Sequence, residues 1–63
     1  MKEIEKTLCP VCGQTELEEF DFCPVCGWCN DRNQAMHRDL EGGGNRMSLN
    51  QAIEAWINGE KID

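Results

Sequence analysis

Four cysteines carry the most legible chemistry in this chain. They stand in two copies of one pattern, Cys9-Pro10-Val11-Cys12-Gly13 and Cys23-Pro24-Val25-Cys26-Gly27, with ten residues between Cys12 and Cys23. A tetrahedral zinc takes four thiolates at about 2.3 Å, which places neighbouring sulfurs just under about 4 Å apart. Two residues between paired cysteines let one tight turn aim both side chains at a common point. Pro10 and Pro24 restrict φ at the second position of each turn, so ordering it costs less entropy. Gly13 and Gly27 permit the positive φ that swings backbone N–H groups toward sulfur. Such N–H···S contacts spread a net charge of −2 that is otherwise costly to bury. The expected site is a metal bound by Cys9, Cys12, Cys23 and Cys26.

Other readings of the cysteines compete with this one. Thioredoxin-like dithiol chemistry needs a strand–helix junction in a larger βαβ fold, for which this chain has no pattern. Cys29 forms a third C-x2-C spacing with Cys26, so a quartet of Cys9, Cys12, Cys26 and Cys29 is possible on spacing alone. Cys23 is preferred because it supplies the proline-containing turn. Cys29 is expected to be a bystander, with a thiol pKa raised beside an anionic cluster. His37, the single histidine, is expected at the surface or capping a helix. Zinc is the expected metal and iron the alternative, because the two knuckles also look like those of rubredoxins, whose S4 site holds iron. Rubredoxins carry a far longer insert between their knuckles.

The elements that position these cysteines follow from the rest of the pattern. Met1–Leu8 is a charged lead-in ending in a short strand at Lys6–Leu8. Residues 9–28 form the double knuckle, and in its linker Phe20 and Phe22 alternate with Asp21, which predicts a strand with one apolar face. Glu16, Glu18 and Glu19 read as a solvated face, since no nucleophile accompanies them. Residues 29–47 read as an irregular glycine-containing connection. Within it, Asp31 and Gln34 carry a weak helix-start signal, and Gly42-Gly43-Gly44-Asn45 interrupts regular structure. That glycine run matches no phosphate-loop pattern and reads as a plain turn.

Residues 48–58 predict one amphipathic helix. Ser48 and Gln51 have the spacing of a capping box. Leu49, Ala52, Ile53, Trp56 and Ile57 recur at helical period, and Gly59 stands where a helix stop wants positive φ. Packing against the metal lobe is the simplest use of that stripe; a partner-binding face is the sharper one.

Size and charge bound the function. A 63-residue chain is a single domain that buries only about 60% of its unfolded surface, so its core is marginal without a staple. The formal charge is −6, with six scattered lysines and arginines, which disfavours nucleic acid and anionic membranes and is compatible with a protein partner. The lead-in is neither a signal peptide nor an anchor, and an odd count of five cysteines suits a reducing compartment, so a cytoplasmic location is expected.

From Cys9 to about Trp56 the chain resembles the bacterial cysteine-rich CPCC family. The resemblance rests on both knuckles, Phe22 and Trp28 flanking the second, Asp39 leading into Gly42-Gly43-Gly44-Asn45, and Ser48-Leu49-Asn50-Gln51-Ala52. Val11 replaces the family's extra knuckle cysteine, and Cys29-Asn30-Asp31 stands where acidic residues are usual. The resemblance implies a zinc-ribbon-like fold and no particular activity.

The expected architecture is therefore a small α+β metal-stapled domain, a zinc-ribbon/rubredoxin-like double knuckle with a short β-hairpin and one C-terminal helix. The expected function is a structural-zinc interaction module, not an enzyme, that binds a protein through the helix or the loop around Trp28 and Asn45. A rubredoxin-like electron carrier with iron in the same quartet is the alternative.

Overall fold

The computed structural model describes residues 6–62. The lead-in over residues 1–5 lies outside them. Strand β1 (Thr7–Leu8) pairs antiparallel with β2 (Glu16–Leu17), in the register Thr7 to Leu17 and Leu8 to Glu16. The first knuckle is the loop of this hairpin, closed by the Cys9 N–H donating to the Thr15 carbonyl at 2.8 Å and the Gly13 N–H to the Cys9 carbonyl at 2.8 Å.

The second knuckle repeats the device. The Gly27 N–H donates to the Cys23 carbonyl at 2.8 Å, the Cys23 N–H donates to the Trp28 carbonyl at 2.9 Å, and Phe22 bridges Cys29. Each knuckle is thus the tip of its own hairpin-like turn, where the sequence suggested one hairpin between the two. The expected strand over residues 20–22 is replaced by a turn. Asp21 donates its N–H to the Glu18 carbonyl and accepts the Glu18 N–H on its carboxylate, so the chain reverses there, with Phe20 at φ +63°. Phe20 and Phe22 are both exposed and build no apolar strand face.

Helix α1 (Arg32–Met36) follows, capped by the Asp31 carboxylate, which accepts the Asn33 and Gln34 N–H groups. His37 is its C-cap and is exposed. Helix α2 (Leu49–Ile57) begins with a complete capping box: Ser48 Oγ accepts the Gln51 N–H, and Gln51 Oε1 accepts the Ser48 N–H. It ends as Gly59 and Glu60 donate to the Trp56 and Ala55 carbonyls, a Schellman pattern with Gly59 at φ +74°. No helix among the described residues is long and apolar enough to cross a membrane.

The core collects Cys9, Val11, Leu17, Cys23, Trp28, Leu49, Ala52, Ala55 and Ile62. The buried arc of α2 differs from the expected stripe: Ala55 is in, whereas Ile57 is 75% exposed. At about 100° per residue, burying Ala55 beside Leu49 and Ala52 turns the helix so that Ile57 faces away. Trp56 and Ile53 are half-buried flanks.

Candidate metal centre

The two turns deliver four sulfurs to one point. The Sγ atoms of Cys9, Cys12, Cys23 and Cys26 all lie within 4.8 Å of one another, with Cys9 to Cys26 at 3.5 Å and Cys12 to Cys23 at 3.6 Å. These separations fit a tetrahedral thiolate shell, in which sulfurs stand just under about 4 Å apart. Cys9 and Cys23, the first cysteine of each knuckle, are buried in the core, while Cys12 and Cys26 are half-buried beside it. The cluster is therefore part of the core and also its outer wall.

Backbone donors surround it. The N–H groups of Val25 and Cys26 point at Cys23 Sγ at 3.4 and 3.5 Å. The Gln14 N–H serves Cys12 and the Trp28 N–H serves Cys26. Residues 14 and 28 come directly after Gly13 and Gly27, whose φ values of +70° and +90° turn those amides inward.

The same surroundings set the thiols apart from one another. Burial alone raises Cys23, but the Cys26 and Val25 amides and the neighbouring Cys12 and Cys26 thiols outweigh it and hold Cys23 at about 6. Burial pushes Cys26 up, opposed by the Trp28 amide and reinforced by Cys9 and Cys23. Burial likewise raises Cys12 against the Gln14 amide. The cluster thus sets a lowered Cys23 thiol beside the raised Cys12 and Cys26, a donor set that could hold a soft divalent cation on loss of its protons.

Cys29 does not join them. Its side chain is 4% exposed and points to the Phe20 carbonyl at 3.9 Å. Its thiol is raised, but by burial first and the Asp31 charge second, where the sequence pointed to the anionic sulfur cluster. The main chain of Cys29 is held by Asn45, which accepts the Cys29 N–H at 2.8 Å and donates to the Cys29 carbonyl at 2.9 Å, as a paired strand would.

That contact belongs to a buried polar network which sequence reasoning missed. Gln34, fully buried, donates to the Leu40, Asn45 and Met47 carbonyls and accepts both the backbone and side-chain N–H of Asn45. Asp31 adds a bond from the Gly44 N–H at 2.8 Å. A Cβ at Gly44 would lie 2.9 Å from Cys29 Sγ, so glycine is needed there for close approach. The glycine run is a latched loop behind the second knuckle. In the sequence this loop shows only as the Asp31–Gln34 spacing of a weak cap and as the glycine–asparagine run itself, which reads as a plain turn.

Two residues offered as a binding loop are interior. Trp28 is 0% exposed and Asn45 is 5% exposed, so neither presents a side chain to a partner. The Trp28 indole N–H has no acceptor among the described residues, although its ring packs in the same cluster as Cys9 and Cys23. An unsatisfied donor in that cluster is compatible with a neighbour that becomes anionic on metal binding.

Comparison with curated proteins returns no match. The model of one family does match, under the description "Cysteine-rich CPCC", and it spans residues 7–59, from the first residue of β1 to the glycine that ends α2. With both knuckles, the latched glycine loop and the capped helix inside that span, the chain belongs to the cysteine-rich CPCC family.

Proposed function

We propose that this chain is a zinc-ribbon-like interaction module, in which a structural zinc on Cys9, Cys12, Cys23 and Cys26 holds together a surface that binds a protein partner. The observation that carries the reading is the convergence of four sulfurs within 4.8 Å inside the core cluster. A structural zinc contributes an apparent ~10–16 kcal/mol at neutral pH, which is comparable to the ~5–15 kcal/mol stability of an ordinary domain. Four protein thiolates complete a tetrahedral shell, and a closed shell has no position for an activated water, which favours a structural over a hydrolytic role. The −6 charge favours a protein partner over nucleic acid.

Iron in the same quartet is the second reading. It is supported by the N–H donors to Cys12, Cys23 and Cys26, which stabilise an anionic S4 centre whichever metal it holds. Elemental analysis beside a visible spectrum, on protein produced without added metal, separates the two. One zinc per chain and no colour is the expected result. One iron with thiolate charge-transfer bands replaces the structural reading with electron transfer, and absence of any metal overturns both.

A further inference from the structure

The acidic turn between the knuckles displays aromatic side chains that the fold itself does not use. Phe20 is 56% exposed, Phe22 is 71% exposed and Val25 is 47% exposed. Phe20 also sits at φ +63°, a region that bulky residues rarely occupy and that glycine or asparagine adopts with less strain. Neither core packing nor turn geometry therefore accounts for a phenylalanine there. Its conformation is held from outside the side chain, by its N–H donating to the Asn30 carbonyl at 2.8 Å and by the Glu18–Asp21 turn.

Beside Phe20 lies a cleft of about 100 Å³, lined by Thr7, Leu17, Glu19, Asn30, Arg32 and Ala35. Phe20 is not one of its walls but adjoins two of them, Glu19 in the chain and Asn30 through its backbone hydrogen bond. Leu17 and Asn30 are buried, and the Asn30 amide ties the walls together by donating to the Leu17 and Glu18 carbonyls and to Thr7 Oγ1. The volume suits one aliphatic side chain and falls short of the several hundred Å³ typical of small-molecule pockets.

Charge identifies the occupant. Glu16, Glu18, Glu19 and Asp21 fall within six residues, and no lysine or arginine occurs between Lys6 and Arg32. A metal-loaded S4 centre directly after Phe22 adds a further −2. The turn is apolar at Phe20 and Phe22 and acidic around them, and Arg32 is the one basic side chain lining the cleft beside it.

We infer that this face captures a basic peptide segment of another protein, with one aliphatic side chain in the cleft and lysines or arginines over the four carboxylates. The inference rests on the protein-partner reading above and places its binding surface at the Phe20–Phe22 turn, in place of α2 or the loop around Trp28 and Asn45. Shape comes from the cleft, and on-rate and selectivity come from the charge.

The test is selection of random displayed peptides on immobilised, metal-loaded protein. The counter-target is the Phe20→Ser/Phe22→Ser variant, shown to carry the same metal and the same helical circular dichroism. Recovered peptides are expected to combine an aliphatic residue with several basic ones, to bind the parent about tenfold or more tightly than the variant, and to weaken as salt rises. Should the double variant fail to fold, Phe20→Gly replaces it, because it relieves the backbone; its thermal midpoint is expected to rise while peptide affinity falls. Peptides held equally by the variant overturn this site and leave the protein-partner reading standing. Recovered peptides without basic residues overturn the charge assignment. Self-association that the variant abolishes gives the face to a second copy and overturns the foreign peptide, and recovery of no peptide from either target overturns both readings.

Discussion

Cys23 and Cys26 belong to one knuckle, yet their thiols move in opposite directions. The reason is backbone orientation: two amides aim at Cys23 Sγ, whereas Cys26 is governed by burial and by its cysteine neighbours. At neutral pH Cys23, at about 6, is mostly thiolate, while Cys12 and Cys26, both raised, carry protons. Metal binding then releases at least those two protons. The apparent metal affinity is expected to rise at least about a hundredfold per pH unit near neutrality, since each proton released contributes a factor of about ten. The lowered Cys23 acts with the same sign on the metal-free fold: its contribution is fully present above the ordinary 9.0 and is lost as pH falls through about 6. A competition titration with a chromophoric chelator across pH measures the first effect, and a flat profile contradicts it. Single substitutions separate ligand from bystander. Cys23→Ser is expected to abolish stoichiometric metal binding. Cys29→Ser is expected to retain one metal per chain and to cost only about 1 kcal/mol, because the Cys29 sulfur touches the Phe20 carbonyl and not the cluster. Elemental analysis of the two variants decides the matter.

At the scale of elements, the two hairpin turns are joined to the helices by polar contacts as much as by apolar ones. α1 is only five residues long, too short to be stable by itself, and Gln34 on its inner side is what fastens it to the loop ahead of α2. Gln34→Leu keeps the approximate volume but strands the Asn45 N–H and three carbonyls. It is expected to cost about 3 kcal/mol, against about 1 kcal/mol for removing the α2 cap in Ser48→Ala. Denaturant unfolding at fixed metal concentration ranks the two; equal losses contradict the latch. The contrast also separates what the sequence announces from what it conceals. A capping box connects residues three apart, so Ser48 and Gln51 declare it locally. Gln34 and Asn45 are eleven residues apart, and buried amides leave no hydrophobic period to detect.

At the scale of the whole molecule, the sulfurs are inseparable from the core. Cys9 and Cys23 pack in the same cluster as Trp28, Leu49 and Ala52, so the core that α2 joins is partly built by the cysteines of the candidate metal centre. A core of this size leaves little stability to spare once the staple is removed. Chelation is therefore expected to abolish the helical circular dichroism of α2 together with tertiary structure, in one transition. A metal-free chain with unchanged helical signal contradicts a structural role for the metal. The net charge of −6 acts at this scale too, adding self-repulsion that the fold must overcome.

Legible in the sequence alone was what is local: two C-x2-C turns with their prolines and glycines, and a helix with its start and stop. Each depends on residues within about one turn of one another, where backbone sterics and capping geometry act without the rest of the fold. Tertiary structure decided the remainder. It turned Trp28 and Asn45 inward, pointed Cys29 away from the cluster, rotated α2 so that Ala55 replaced Ile57 in the core, and held Phe20 at positive φ with its ring in solvent. Those outcomes are set by which distant segments close over one another. The cost of burying an unpaired polar group, weighed across the whole chain, selects among packings that local sequence leaves equal.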